Sequence, residues 1–299
     1  MILGVHHVAI STPKPQALAQ GLGFRELSPN ASSTASLVTQ APNLYLVIAP
    51  PSGEAVGPRR APRPQSRGLA HLCVQSPGAA ALWESFQADG FVTWTAPLTG
   101  LGGHYRYAYG YTEDGLMLEL EETPVSAMSD LSRWIAHVAF VTDDLARLAG
   151  FYAQLTDRPV TEGLTIAESR RAERITGLAD VAMTPAWVQG LNVGLEFWRF
   201  DQPQSPAADA AGRGWGWGYE AICLQTDDLE GDLARATAFG ATSVAGQEPA
   251  FNGVLARLRD PDGNGLLLLQ LPPNHLLDVR RLPFADVLAR HARAMEELS

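Results

Sequence analysis

A chain of 299 residues with 46% hydrophobic residues, a formal net charge of −10 and a pI near 5.1 has enough apolar material for two ordinary cores. Its acidic balance excludes a phosphate-backbone partner, which needs a basic face. No apolar run approaches the roughly 20 residues of a membrane-spanning helix, and Met1-Ile2-Leu3 passes into a strand pattern without a basic leader. Neither nucleic acid nor membrane is therefore expected as a partner, and a cytoplasmic location is the default.

The first element, Gly4-Val5-His6-His7-Val8-Ala9-Ile10, alternates as a strand should. Its pattern returns as Gly68-Leu69-Ala70-His71-Leu72-Cys73-Val74, as Trp134-Ile135-Ala136-His137-Val138-Ala139-Phe140, and as Gly218-Tyr219-Glu220-Ala221-Ile222-Cys223-Leu224. The chain is thus an internal repeat. Three copies carry a histidine at one register point and Ala221 occupies it in the fourth. After each strand come a turn, an apolar-periodic helix such as residues 144–152, and short strands split by Gly and Pro, so each unit reads as βαβββ.

Composition places one module at 1–49, a Pro/Gly/Arg stretch at 50–67, and a second module at 68–122. A third follows at 133–200, a Pro/Ala/Gly linker at 201–217, and a fourth module at 218–271. Residues 272–299 alternate apolar and charged positions at helical spacing and read as a docking helical tail. Arg59, Arg60 and Arg67 lie among prolines and read as a solvated linker. Cys73 and Cys223 fall inside equivalent first strands and read as small buried apolar residues.

The closing strands hold the carboxylates. Period-two geometry sets Glu119 opposite Leu116, Leu118 and Leu120, and Glu196 opposite Leu195 and Phe197. Leu267 has the offset from Gly263 that Glu119 has from Gly115, and the first module offers only Tyr45 or Val47, so modules one and four lack a carboxylate. His6 is read as facing away, and Glu220 as one residue out of register. Three in-register histidines, two of them matched by a carboxylate, would be costly to bury without a cation or hydrogen-bond partners.

The repeated first strand, helices ending in Gly23-Phe24 or Gly90-Phe91, and the Asp260-Pro261-Asp262-Gly263-Asn264 closing segment resemble the vicinal oxygen chelate (VOC) superfamily over almost the whole chain. That group includes glyoxalase I, methylmalonyl-CoA epimerase, bleomycin and fosfomycin resistance proteins and type I extradiol dioxygenases. The resemblance implies an α+β fold of four βαβββ modules forming two paired-module, barrel-like domains, over 1–122 and 133–271. It also implies a divalent metal, a small-molecule substrate with vicinal oxygens and homodimerisation.

Two ligand sets stay open. Pairing modules one and two brings together His7, His71 and Glu119, a triad suited to Fe(II) or Mn(II). Pairing two and three brings together His71, Glu119, His137 and Glu196, the set that resembles glyoxalase I and the epimerases and suits Zn(II), Ni(II), Co(II) or Mg(II). The short join between Glu119 and His137 favours the second pairing. The four-module chain and Tyr109, ten positions before Glu119, resemble the dioxygenases. On that reading Tyr109 donates a hydrogen bond and His104 shuttles a proton, although the first module has no further histidine to serve as the dioxygenases' second-sphere acid. Extradiol-type ring cleavage is the first reading, glyoxalase- or epimerase-type lyase or isomerase chemistry the second, and a metal-free binding or resistance protein the third. Trp83, Trp94, Trp134, Trp187 and Trp198 are candidates to line an aromatic-substrate pocket, against a core reading for large apolar residues.

Overall fold

In the computed structural model, residues 1–27, 36–51, 57–58, 63–125, 131–206 and 216–297 are described. Module one supplies β1 (Ile2–Ser11), α1 (Pro15–Leu22), β2 (Arg25–Leu27), β3 (Leu37–Gln40) and β4 (Tyr45–Ala49). A two-residue strand, β5 (Gly57–Pro58), lies within the stretch read as linker. Module two supplies β6 (Gly68–Ser76), α2 (Ala79–Ala88), β7 (Thr93–Trp94), β8 (Thr99–Gly102), β9 (Tyr105–Tyr111) and β10 (Met117–Glu122). Module three follows with β11 (Trp134–Val141), α3 (Leu145–Thr156), β12 (Val160–Glu162), an additional helix α4 (Arg170–Thr176), β13 (Ala182–Val188) and β14 (Gly194–Gln202). Module four contains β15 (Gly216–Thr226), α5 (Leu229–Ala238), β16 (Thr242–Ser243), β17 (Glu248–Ala250), β18 (Gly253–Arg259) and β19 (Gly265–Gln270), and α6 (Val287–Glu296) closes the chain.

Local chemistry sets these boundaries. The Asp144 side chain accepts from the Arg147 N–H at the start of α3, and Asp228 does the same for Gly231 at the start of α5, satisfying donors that a helix N-terminus leaves open. Pro15 opens α1, and Gly23 ends it at φ 62°, where a side chain would be strained.

The strands form two mixed sheets, and their pairing is nested. The outer sheet runs β16-β18-β19-β15-β1-β4-β3-β2 and joins modules one and four. The inner sheet runs β12-β13-β14-β11-β6-β10-β9-β7 and joins modules two and three. The fold is α+β with paired modules, as expected, but β1 hydrogen-bonds antiparallel to β15 rather than sharing a sheet with module two. Antiparallel β6 and β11 form the matching seam of the inner sheet.

One apolar core joins the two sheets through the helices. It includes Val5, Val8, Leu46 and Leu224 of the outer sheet, Leu72, Leu118, Val138 and Phe197 of the inner sheet, and Leu22, Phe86, Leu148 and Tyr152 of the helices. Each fully buried side chain of this kind contributes about 1.5–3 kcal/mol relative to exposure. The tail crosses both sheets. Leu277, Val279 and Leu282 pack with Val38, Tyr45 and Val47 of the outer sheet, and α6 then packs on Val125, Leu131 and Trp134 beside the inner one. Within residues 272–297 the α-helix is confined to Val287–Glu296.

Both seams carry the same irregularity. The register jumps one residue at His6 and at Glu220 in the outer seam, and at Ala136 and at Ala70 in the inner seam. These β-bulges sit immediately before the four equivalent positions His7, Ala221, His137 and His71. A bulge re-aims side chains at the point where it is inserted.

Candidate metal centre

The inner seam brings four candidate ligands together. His71 is on β6 and His137 on β11; Glu119 is paired beside Cys73 on β10, and Glu196 beside Ala139 on β14. One ligand atom from each of the four lies within 4.8 Å of all the others, and all four residues are buried. Glu119 Oε2 is 3.1 Å from His71 Nε2 and 2.8 Å from His137 Nε2. Glu196 Oε2 is 3.1 Å from His137 Nε2 and 3.8 Å from His71 Nε2.

The two carboxylates are held differently. Glu196 accepts from the indole N–H of Trp187 at 3.0 Å through Oε1 and from that of Trp198 at 2.6 Å through Oε2. Among the described residues, Glu119 has hydrogen bonds only with the two imidazoles. Burial would push Glu119 up, but His137 and His71 outweigh it and hold the carboxyl low, at about 2. Conversely, burial opposes the charged form of His137, yet Cys73, Glu196 and Glu119 hold it well above the ordinary imidazole value.

This arrangement suits a divalent cation. Two imidazole nitrogens and two carboxylate oxygens converge at buried residues, and among the described residues the buried His71 Nδ1 has no hydrogen-bond partner. Such a mixed N/O donor set matches Zn(II), Ni(II), Co(II) or Mn(II) better than Cu(I). A bound cation would take over the role of the proton on His137.

A polar row continues along the same face. Trp134 Nε1 donates to Gln75 Oε1 at 2.7 Å, Gln75 Nε2 donates to Glu121 Oε1 at 2.6 Å, and Cys73 Sγ lies 3.5 Å from Glu121 Oε2. Cys73 is buried, as expected, but it faces this row rather than apolar neighbours. Burial and the Glu119 charge push the Glu121 carboxyl up to about 7. A raised value means the folded protein holds this proton more tightly than the unfolded chain. The resulting stability is complete below the ordinary carboxyl value near 4.5 and is lost as pH rises through 7. Glu121→Gln, which stays neutral, is expected to raise the melting temperature of the metal-free protein at pH 8 and to have little effect at pH 4.5. The lost term is roughly 1.4 kcal/mol for each unit of displacement, and an equal shift at both pH values in thermal melts would refute the assignment.

The remaining candidates are dispersed. Tyr109 is opposite Glu119 on β9, with its ring centroid 5.3 Å from that of His71. His104 is exposed in the turn between β8 and β9 and does not join the ligand atoms. His7 lies in the outer sheet, so the triad of His7, His71 and Glu119 is not assembled. The reason is the nested pairing. His6 does not face away, because its bulge turns it to the side of His7, leaving the two Nδ1 atoms 2.8 Å apart. The carboxylate positions of the outer sheet are Val47, paired with Ala9, and Leu267, paired with Cys223. Trp83 and Trp94 pack under α2 with Phe86, away from the four ligands, whereas Trp187 and Trp198 hold Glu196. That second role was missed because an indole donor cannot be distinguished from core by spacing alone.

Comparison with known proteins bears on the fold. Residues 137–269 match the family model of a glyoxalase-like domain. Glyoxalase I from Zea mays superposes with a TM-score of 0.62 at 14% identity, covering 95% of this chain and 96% of that one. A variant of the same maize enzyme gives 0.63 at 14% identity over 89% and 93% of the two chains. A Bacillus subtilis protein described as a candidate dioxygenase gives 0.57 at 12% identity over 99% and 96%. No curated protein matches the sequence. At these identities the structural likeness establishes the fold, and chemistry rests on the four converging side chains.

Proposed function

Because the chain belongs to the vicinal oxygen chelate superfamily, by its fold and its glyoxalase-like domain, we propose that it is a metal-dependent lyase or isomerase. It acts on a small substrate with two neighbouring oxygens. The observation carrying this reading is the convergence of His71, Glu119, His137 and Glu196 from two modules within 4.8 Å. A divalent cation there would polarise the two oxygens and offset negative charge developing on them. His71, Glu119, His137 and Glu196 would hold that cation, one protein ligand more than the triad suited to ring cleavage. That count moves the reading away from ring cleavage, whose ligand triad required His7.

The protein's own groups divide the work. Trp187 and Trp198 clamp Glu196, fixing its orientation. Glu119 lacks such a clamp and is the carboxylate free to swing toward a carbon-bound hydrogen next to a carbonyl, acting as the base. His71 and His137 hold position from opposite sides of the seam, their ring centroids 5.6 Å apart. Tyr109 and Tyr107 border the site, and burial keeps both hydroxyls protonated and so able to donate.

The test is metal-dependent deuterium incorporation alpha to the carbonyl of thiohemiacetals and acyl-CoA thioesters, followed by NMR after reconstitution with Mn(II) or Ni(II). Incorporation that requires the metal and disappears in His137→Ala supports the proposal. Oxygen consumption with catechols and no incorporation overturns it in favour of ring cleavage. Failure to bind either metal overturns it in favour of a binding protein.

A further inference from the structure

The outer seam occupies the place equivalent to the metal centre and has lost the corresponding donors: Val47 and Leu267 stand for the carboxylates, and Ala221 for one histidine. Loss alone would leave an apolar plug around His7. Instead, His6 and Cys223 have entered the space. His6 is the bulge residue, and Cys223 is the cross-strand partner of His7. One ligand atom from each of the three lies within 4.8 Å of the other two. The residues are 1%, 2% and 0% exposed for His6, His7 and Cys223.

The polar accounting in this space does not close. The two Nδ1 atoms face each other at 2.8 Å, so one ring must carry a hydrogen and the other a bare lone pair. Among the described residues no hydrogen bond of normal length and angle reaches the buried His6 Nε2, a costly state for a polar atom, although the Leu277 backbone interacts with this imidazole. Phe251 lies 5.6 Å from both imidazole rings and Tyr45 5.2 Å from that of His6, with the tail residues Leu277 and Val279 packed beside Tyr45. Beyond these apolar neighbours, Arg257, paired with Glu248, faces His7 and Cys223, and His275 and Asp278 face His6.

We infer that His6, His7 and Cys223 form a second metal site, for a thiophilic cation of the Zn(II) or Cu(I) type. Thiolate with imidazole is the donor set those ions select. Metal–ligand bonds of about 2.0–2.3 Å in a three-coordinate plane place donors roughly 3.5–3.8 Å apart, so the two imidazoles would separate by less than about 1 Å. On binding, the hydrogen between the rings moves to the far nitrogen of its own imidazole, and one proton leaves Cys223 Sγ for solvent. The site is structural: it ties β1 to β15 beneath the tail. It differs in kind from the inner centre, which has nitrogen and oxygen donors only.

Cobalt(II) alone is the probe, added anaerobically to the full, reduced chain, because a thiolate ligand produces a near-ultraviolet charge-transfer band that nitrogen and oxygen ligands do not. The expected band saturates at one equivalent per chain, is lost in Cys223→Ala and His6→Ala, and persists in His137→Ala and Cys73→Ala. Alanine at 223 matches Ala139, which fills the equivalent place on β11, so the variant is expected to fold, with far-ultraviolet circular dichroism as the check. Should Cys223→Ala not fold, His137→Ala and Cys73→Ala decide: full retention of the band in both supports the site, because Cys223 is then the one thiol left to supply it. Absence of the band in wild type, or its loss in Cys73→Ala, overturns the inference.

Discussion

Glu119→Gln is expected to lower kcat by about 10²–10⁴-fold, the usual contribution of a positioned base, while metal is still bound, though more weakly. Trp198→Phe is expected to act differently. Removing the 2.6 Å indole donor to Glu196 should weaken metal affinity by about 10–100-fold, the common cost of losing a group that orients a ligand, and kcat at saturating metal should change little. The contrast follows from the two environments. One carboxylate accepts from two indoles and the other has hydrogen bonds only with imidazoles, so one is fixed and one can move. Metal titration with turnover at saturation separates the two effects. If Glu196→Gln loses turnover at saturating metal while Glu119→Gln keeps it, the roles are reversed.

Asn43→Leu is expected to destabilise the protein by about 3 kcal/mol or more. The Asn43 side chain accepts from the Ile135 N–H at 3.1 Å and donates to the Ile135 and Asn192 carbonyls at 2.7 Å. Asn192 mirrors it, accepting from the Val5 N–H at 2.8 Å and donating to the Val5 carbonyl at 2.8 Å and the Asn43 carbonyl at 2.7 Å. Val5 and Ile135 immediately precede the bulges at His6 and Ala136, and they lie ahead of β4 and β14, whose pairing begins at His7 and His137. Each amide therefore supplies both ladder bonds that the missing strand residue would have made. Leucine would leave several buried backbone groups unpaired at roughly 1–3 kcal/mol apiece and would cut a link between the two sheets. Urea unfolding should show a lower midpoint at unchanged slope, and a midpoint within error of wild type would refute the strap.

Repetition made much of this legible. The equivalence of His7, His71, His137 and Ala221, the inward carboxylates Glu119 and Glu196, and their apolar replacement at Leu267 all follow from counting along like strands, because a side-chain period of two is a local property. Orientation failed at His6. Alternation assigns it to the far face, but a bulge is defined only by the opposing strand, which sequence does not identify. Pairing stays open in the sequence for the same reason, since any first strand can satisfy the hydrogen bonds of any other, although the short join between Glu119 and His137 favours the arrangement found. The reach of Asn43 and Asn192 into the other sheet has no short-range signature.

Nesting also orders the molecule in time. The inner pair is contiguous along the chain, whereas the amino terminus finds Asp227 226 residues downstream. Closing so long a loop is slow compared with joining neighbours. The half with the four-ligand cluster can assemble from adjacent segments while β1, synthesised long before its partner, waits with an open edge for β15. Until that strand emerges, the unpaired edge of β1 is the part of the nascent protein most exposed to mispairing with another copy.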